Sequence, residues 1–142
     1  MRNEEFQELI KEIISRGHEL RKVECKGPGI RSDKNFFTKI VRACIGMSNR
    51  RDGGFVVIGL SENDDSIEPN GLNDERLKTW KYDNVGDSLA VYCDPPIQFK
   101  IGFHKYQNHN MVLITVNEFE DMPIICKKDY ENNLRSGACV DC

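Results

Sequence analysis

The sequence predicts an α+β domain, a single mixed β-sheet with helices packed on it, and three observations carry that prediction. Residues 55–60, Phe-Val-Val-Ile-Gly-Leu, form an almost wholly apolar run rich in β-branched side chains, the pattern of a strand covered on both faces. Residues 97–104 alternate apolar and polar, and with the apolar run at 111–116 they read as a hairpin. Residues 3–16 and 33–49 repeat their apolar side chains at helical spacing.

Taken in order, Phe6, Ile10, Ile13 and Ile14 make one apolar face of a first helix, which Gly17 is suited to end. Residues 20–26 alternate, with Leu20, Lys22, Glu24 and Lys26 on one side and Arg21, Val23 and Cys25 on the other, which predicts a short strand stopped by Gly27-Pro28-Gly29. Ser32 or Asp33 can cap a second helix whose Phe36, Phe37, Ile40, Val41, Cys44 and Met47 face the core. Arg50-Arg51-Asp52-Gly53-Gly54 is a turn into the central strand, and Glu62-Asn63-Asp64-Asp65 reads as a polar, acidic loop beyond it. Residues 72–92 read as a third helix broken near Gly86. Pro123 to Cys126, and Leu134, offer further short strands.

A length of 142 residues suits one domain that buries about two-thirds of its unfolded surface. It divides into an N-terminal helix over residues 1–16 and the remainder of the domain over 17–142. No apolar run approaches the roughly 20 residues that cross a bilayer, so no membrane is expected. The acidic start, Met-Arg-Asn-Glu-Glu-Phe-Gln, is unlike a secretion signal, and a cytoplasmic location follows as an expectation. A net charge of −3 excludes coating of nucleic acid by bulk electrostatics and leaves room for a local basic patch. Six cysteines, without a secretion signal, are expected to be reduced; Cys139-x-x-Cys142 has the spacing of half a zinc site and lacks a second pair.

The chemistry-bearing residues lie between Gly17 and Asp65. Glu24-x-Lys26 sends a carboxylate and an ammonium from the same face of a strand, a pair able to hold a divalent ion and to offset charge building on a phosphate. The plainer alternative is a solvated surface pair of little energetic consequence. Gly17 lets the chain leave its helix irregularly, so that Glu19 can approach Glu24. A third carboxylate can come from Glu62, Asp64 or Asp65, since sites gather in loops beyond the ends of central strands. Such an oxygen cluster suits Mg²⁺ or Mn²⁺. Arg50 and Arg51 form a basic turn whose Gly53 and Gly54 would let a phosphate approach the backbone; a tight turn feeding a buried strand explains the same residues. No Gly-x-x-x-x-Gly-Lys-Ser/Thr loop is present, which excludes a P-loop hydrolase. His18, His104 and His109 do not make a ligand set, and no serine or cysteine has a nucleophile's setting.

Glu19 and Glu24-x-Lys26, a helix, then Asn49-x-x-x-Gly53-Gly54-Phe-Val-Val-Ile-Gly59-Leu60 followed by acidic residues, resembles the Schlafen core, or Schlafen-type AlbA, domain. Leu134-Arg135-Ser136-Gly137 is similar to that family's closing segment, so the resemblance spans about residues 17–138. It implies a Schlafen-core-like fold and a domain that handles nucleic acid, RNA before DNA. In the Schlafen proteins proper it implies a metal-dependent endoribonuclease acting on structured RNA such as tRNA. Carried onto this chain, the metal-holding carboxylates are Glu19, Glu24 and Glu62, with Asp64 as substitute for the third. From the residues themselves, Lys26 is expected to join them at the catalytic site, and Lys22, Arg50, Arg51, Gly53 and Gly54 to guide the nucleic-acid backbone. The Asn49 to Gly53 turn carries Arg50-Arg51-Asp52 and is longer than the family's usual one. Animal members hold two lobes in one chain, which implies that this single lobe pairs with itself as a symmetric dimer. Two other readings stand beside the enzyme: a non-catalytic nucleic-acid-binding or regulatory module, and a protein-interaction or oligomerisation domain of a larger protein.

Overall fold

The structure is a computed structural model that describes residues 1–137. Cys139 and Cys142, and with them the half zinc site, lie outside the described residues. The apolar run after Gly53-Gly54 forms β2 (Gly54–Ile58), an inner strand as its lack of polar side chains requires. To one side lies β1 (Val23–Lys26), parallel to it with Glu24 opposite Val56 and Lys26 opposite Ile58. To the other side lies β7 (His109–Val116), antiparallel, and beyond it β6 (Phe99–Tyr106), giving the order β1-β2-β7-β6. Tyr106 pairs with His109, so a two-residue turn at Gln107 and Asn108 fixes the hairpin's register, with Gln107 at a φ of 55°.

Helices cover both faces. On one, α1 (Asn3–Arg16) buries Phe6, Ile10 and Ile13 against Val23, Cys25, Val57 and Leu113. Each of those three side chains contributes on the order of 1.5–3 kcal/mol by leaving water. The helix ends at Gly17, whose φ of 73° lets its N–H bond back to the carbonyls of Ile13 and Ile14 at 3.0 and 3.2 Å. On the opposite face lies α2 (Lys34–Ser48), started by Asp33, whose carboxylate accepts from the N–H groups of Asn35 and Phe36. Its Ile40, Val41 and Cys44 share a core with Val56, Ile58, Ile114 and Trp80.

Between Leu72 and Tyr92 the chain forms two helices, α3 (Asp74–Leu77) and α4 (Tyr82–Tyr92). The break therefore falls at residues 78–81, and Gly86 lies inside α4. Long-range bonds place it there. Thr79 accepts from the Arg31 backbone and side chain at 3.0 and 3.1 Å, and Trp80 Nε1 donates to Gly29 O at 3.1 Å. Near the end of the chain, β5 (Cys93–Asp94) pairs with β8 (Ile125–Cys126), and Leu134 makes an isolated bridge to Tyr130. The side-chain amide of Asn49, just past α2, clamps Ile124 by accepting from its N–H at 2.8 Å and donating to its carbonyl at 3.0 Å. Among the described residues no helix is long and apolar enough to cross a membrane.

Candidate functional site

The sheet ends at β1, and its backbone parity decides what lies along the free edge. Phe55 N–H donates to Lys22 O and Gly59 N–H to Lys26 O, both at 2.8 Å, so the even-numbered residues of β1 face β2. The N–H of Cys25 consequently points away from the sheet, and the Glu19 carboxylate accepts it. Glu19 reaches that position through a turn. Val23 N–H bonds to Leu20 O at 3.1 Å and Lys22 takes a φ of 67°, so the strand begins at Val23 and not at Leu20. The turn brings Glu19 and Glu24 to the same edge, where an extended strand from residue 20 would have separated them.

Glu62 arrives from a second direction. Gly59, at a φ of 119°, redirects the chain out of β2 into β3 (Leu60–Glu62), which pairs with β4 (Ile67–Pro69) as a small hairpin. The acidic loop read from the sequence is thus a strand end and a tight turn, with Asn63 N–H bonded to Ser66 O at 2.8 Å. The hairpin tip packs on the end of α1. A Cβ on Gly17 would stand 2.7 Å from Asp65 O, so only glycine allows this approach. Ser61 lies beside Gly27, past the end of β1, which carries Glu62 to the edge occupied by Glu19.

Burial first, and then the charges of Glu62 and Glu24 and the nearby Glu62 carboxyl, together push the Glu19 carboxyl up to about 7 against the pull of the Cys25 amide. Two carboxyl groups within hydrogen-bonding reach need a proton or a cation between them. The Cys25 thiol, buried on the α1 side, is pushed up to about 12 by burial and then by Glu19, Glu62 and Glu24, while Lys26 pulls it down. Glu24 and Lys26 leave β1 on the α2 side, as their register partners Val56 and Ile58 do. Glu19, Glu24, Glu62 and Lys26 therefore act on one small region. Among the described residues, however, no three acidic, His or Cys side chains close into a metal-holding group. Glu62 reaches Glu19 side chain to side chain, whereas Glu24 acts on it through its charge alone, so ligation of one ion by all three needs a closer approach of Glu24. Three carboxylates are a donor set of the kind that suits a hard cation such as Mg²⁺ or Mn²⁺.

Other candidate residues are placed differently. Asp64 sits in the exposed hairpin tip. Lys22 Nζ lies 3.6 Å from Asp52 at the start of β1, on the side of the basic turn. Arg50 and Arg51 are exposed there, with Arg50 Nη1 4.0 Å from Met47 Sδ. Gly53 and Gly54 are buried: a Cβ on Gly53 would meet Val116 O at 2.0 Å and one on Gly54 would meet Met47 Sδ at 2.3 Å. With the Gly53 N–H also bonded to Arg50 O, these glycines serve close packing and offer no open backbone to a phosphate. Gly17 aims Glu19 toward the β1 edge, as its place before Glu19 in the sequence suggests, whereas the part of Gly59 in aiming Glu62 depends on a φ of 119° that the sequence does not show.

A family model described as Schlafen, AlbA_2 matches residues 19–140. No curated protein matches the chain. Among solved structures, the chain is similar to the N-terminal domain of a protein from Nitrosomonas europaea titled as related to the ATP-dependent DNA helicase RecG. The TM-score is 0.63 at 19% identity, over 92% of this chain and 84% of that one. It is also similar to the DIP2311 protein from Corynebacterium diphtheriae, with a TM-score of 0.56 at 14% identity, over 87% of this chain and 24% of that one. At these identities both likenesses speak for the fold.

Proposed function

The chain belongs to the Schlafen, AlbA_2 family, and we propose that it is a nucleic-acid-processing domain, a divalent-metal-dependent endoribonuclease acting on structured RNA such as tRNA. One observation supports the proposal: Glu24 and Glu62, from β1 and β3, both lie near enough to Glu19 for their charges to raise its carboxyl, and Lys26 follows two residues after Glu24 on the same face of β1. In this reading Glu19, Glu24 and Glu62 hold Mg²⁺ or Mn²⁺. When bound, the ion lowers the pKa of a water and offsets charge on the scissile phosphate. Glu19, raised to about 7 without the ion, gives up its proton as the ion binds, which ties ion binding to pH near neutrality. Lys26 supplies a positive charge as negative charge builds on the phosphoryl oxygens. Lys22, Arg50 and Arg51, at the opposite end of β1, draw the backbone of the substrate along the edge. The open edge admits a duplex or folded strand where an enclosed pocket would admit only a small molecule.

The test is cleavage of tRNA and of single-stranded DNA with Mn²⁺, wild type against Glu24→Ala. The proposal expects tRNA to be cut by the wild type, and expects Glu24→Ala to lose cutting while keeping binding. A second reading, a non-catalytic nucleic-acid-binding module, is favoured by the lack of a closed ligand group among the described residues. No cutting with any divalent ion, together with loss of binding in Arg50→Ala/Arg51→Ala, would establish it instead.

A further inference from the structure

The far edge of the sheet has its own parity. Asn117 N–H donates to Gln98 O at 2.9 Å, and Lys100, Gly102 and His104 pair with Thr115, Leu113 and Met111. The even-numbered residues of β6 thus face β7, and Phe99, Ile101, Phe103 and Lys105 turn their N–H and C=O groups outward. The Gln7 side chain takes the Lys105 carbonyl. What stays open among the described residues is a stretch from 99 to 103 with Ile101 at its centre, without a proline or a bulge to guard it.

From this we infer that β6 pairs antiparallel with β6 of a second copy of this chain, across a two-fold axis at Ile101, to form a continuous eight-stranded sheet. The stretch is self-complementary in that register. Ile101 meets its own counterpart, and Phe99 meets Phe103 of the second copy, so the outward groups of three residues in each chain pair reciprocally. Lys100 falls opposite Gly102, and no like charges face each other directly. Phe103 is 52% exposed and Tyr82, stacked on Phe99 with ring centroids 4.8 Å apart, is 56% exposed. The pairing covers both.

Charges flanking the edge agree with the same axis. Lys78 and Lys81, against the single carboxylate of Asp74, give a net positive lining to an apolar cleft of about 400 Å³ beside Phe103. The helix lying across Phe99 through Tyr82 and Gly86 carries the exposed Asp83 and Asp87. Bringing Phe103 of one copy to Phe99 of the other moves the lysines of each toward the aspartates of its counterpart. A lone edge strand of another protein would gain the backbone bonds but not this reciprocal match, which is why a second copy is the favoured occupant.

Sedimentation of the full chain combined with amide hydrogen exchange by NMR tests this without reference to the carboxylate site. The inference expects a species of twice 16.3 kDa at high concentration. It also expects at least tenfold slower exchange, with rising concentration, at the amides of Phe99, Ile101 and Phe103 alone, while Lys100, Gly102 and His104 are protected throughout. Phe103→Glu, at an exposed position, should give a folded monomer in which those three amides exchange freely. Gly102→Lys, which sets lysine against lysine, should weaken the dimer in the same way. A monomer at every concentration, a dimer whose three outward amides exchange freely, outward amides protected in a monomer, or an undiminished Phe103→Glu dimer would each overturn it.

Discussion

Replacing Glu19 by glutamine isolates the electrostatic strain at the β1 edge. The glutamine keeps an oxygen for the Cys25 N–H and gains a donor for Glu62, while removing a charge that burial and two neighbouring carboxylates oppose. The Glu19 carboxyl sits at about 7 in the folded chain against an ordinary 4.5, so the folded state holds a proton that the unfolded state has released between those values. Stability therefore falls as pH rises from about 4.5 to about 7. At 1.36 kcal/mol for each tenfold change in acidity the full cost is about 3 kcal/mol. Glu19 is only half-buried, and water screening reduces this to about 1–2 kcal/mol. For a chain of this size that is a rise in Tm of about 3–6 °C for Glu19→Gln at pH 8. Thermal melts in a chelator, followed by circular dichroism, should show the gain at pH 8 and its disappearance at pH 4.5. An equal gain at both values, or a loss of stability at pH 8, would refute the argument that burial, helped by the neighbouring carboxylates, opposes a charge on Glu19.

Three further substitutions probe how the edge and its supports are held. Gly17→Ala places a Cβ 2.7 Å from Asp65 O at a φ of 73°; a loss of about 2 kcal/mol in urea unfolding is expected, and the Glu19→Gln effect should shrink in its background as the hairpin shifts. Asn49→Ala leaves the Ile124 amide and carbonyl without their clamp and should cost about 2–3 kcal/mol by the same assay, with faster amide exchange at Ile124. Trp80→Phe keeps most of the buried ring but drops the bond to Gly29 O; a loss of about 1–3 kcal/mol is expected, with no change in the pH dependence contributed by Glu19.

Much of the fold is legible in the sequence because its long elements obey simple periodicities. The stripe in α1, the Asp33 cap of α2, the alternation of β6 and the continuous apolar run of β2 each signal their type without tertiary help. What escapes is set by contacts distant in sequence. The break after α3 follows from Arg31, Gly29 and their bonds to residues 79–80, whereas Gly86, the better local breaker, is simply carried by a helix packed on Phe99. Glu62 reads as loop because strands of three residues are too short to show a period. The convergence of Glu19 with Glu24 depends on a lysine at positive φ, a conformation that sequence does not advertise for Lys22. Gly53-Gly54 looked equally suited to a phosphate and to a packed turn, and only the position of Val116 and Met47 shows the packing.

The account rests on Glu19, Glu24 and Glu62 drawing together around one cation. Titrating the full chain with Mn²⁺ at pH 8, with free ion followed by its electron paramagnetic resonance signal, measures that directly. One ion bound per chain, lost in Glu24→Gln and in Glu62→Gln and weakened as pH falls below about 7 where Glu19 keeps its proton, is the predicted result. Binding that is missing in the wild type, or that survives both substitutions, would contradict it.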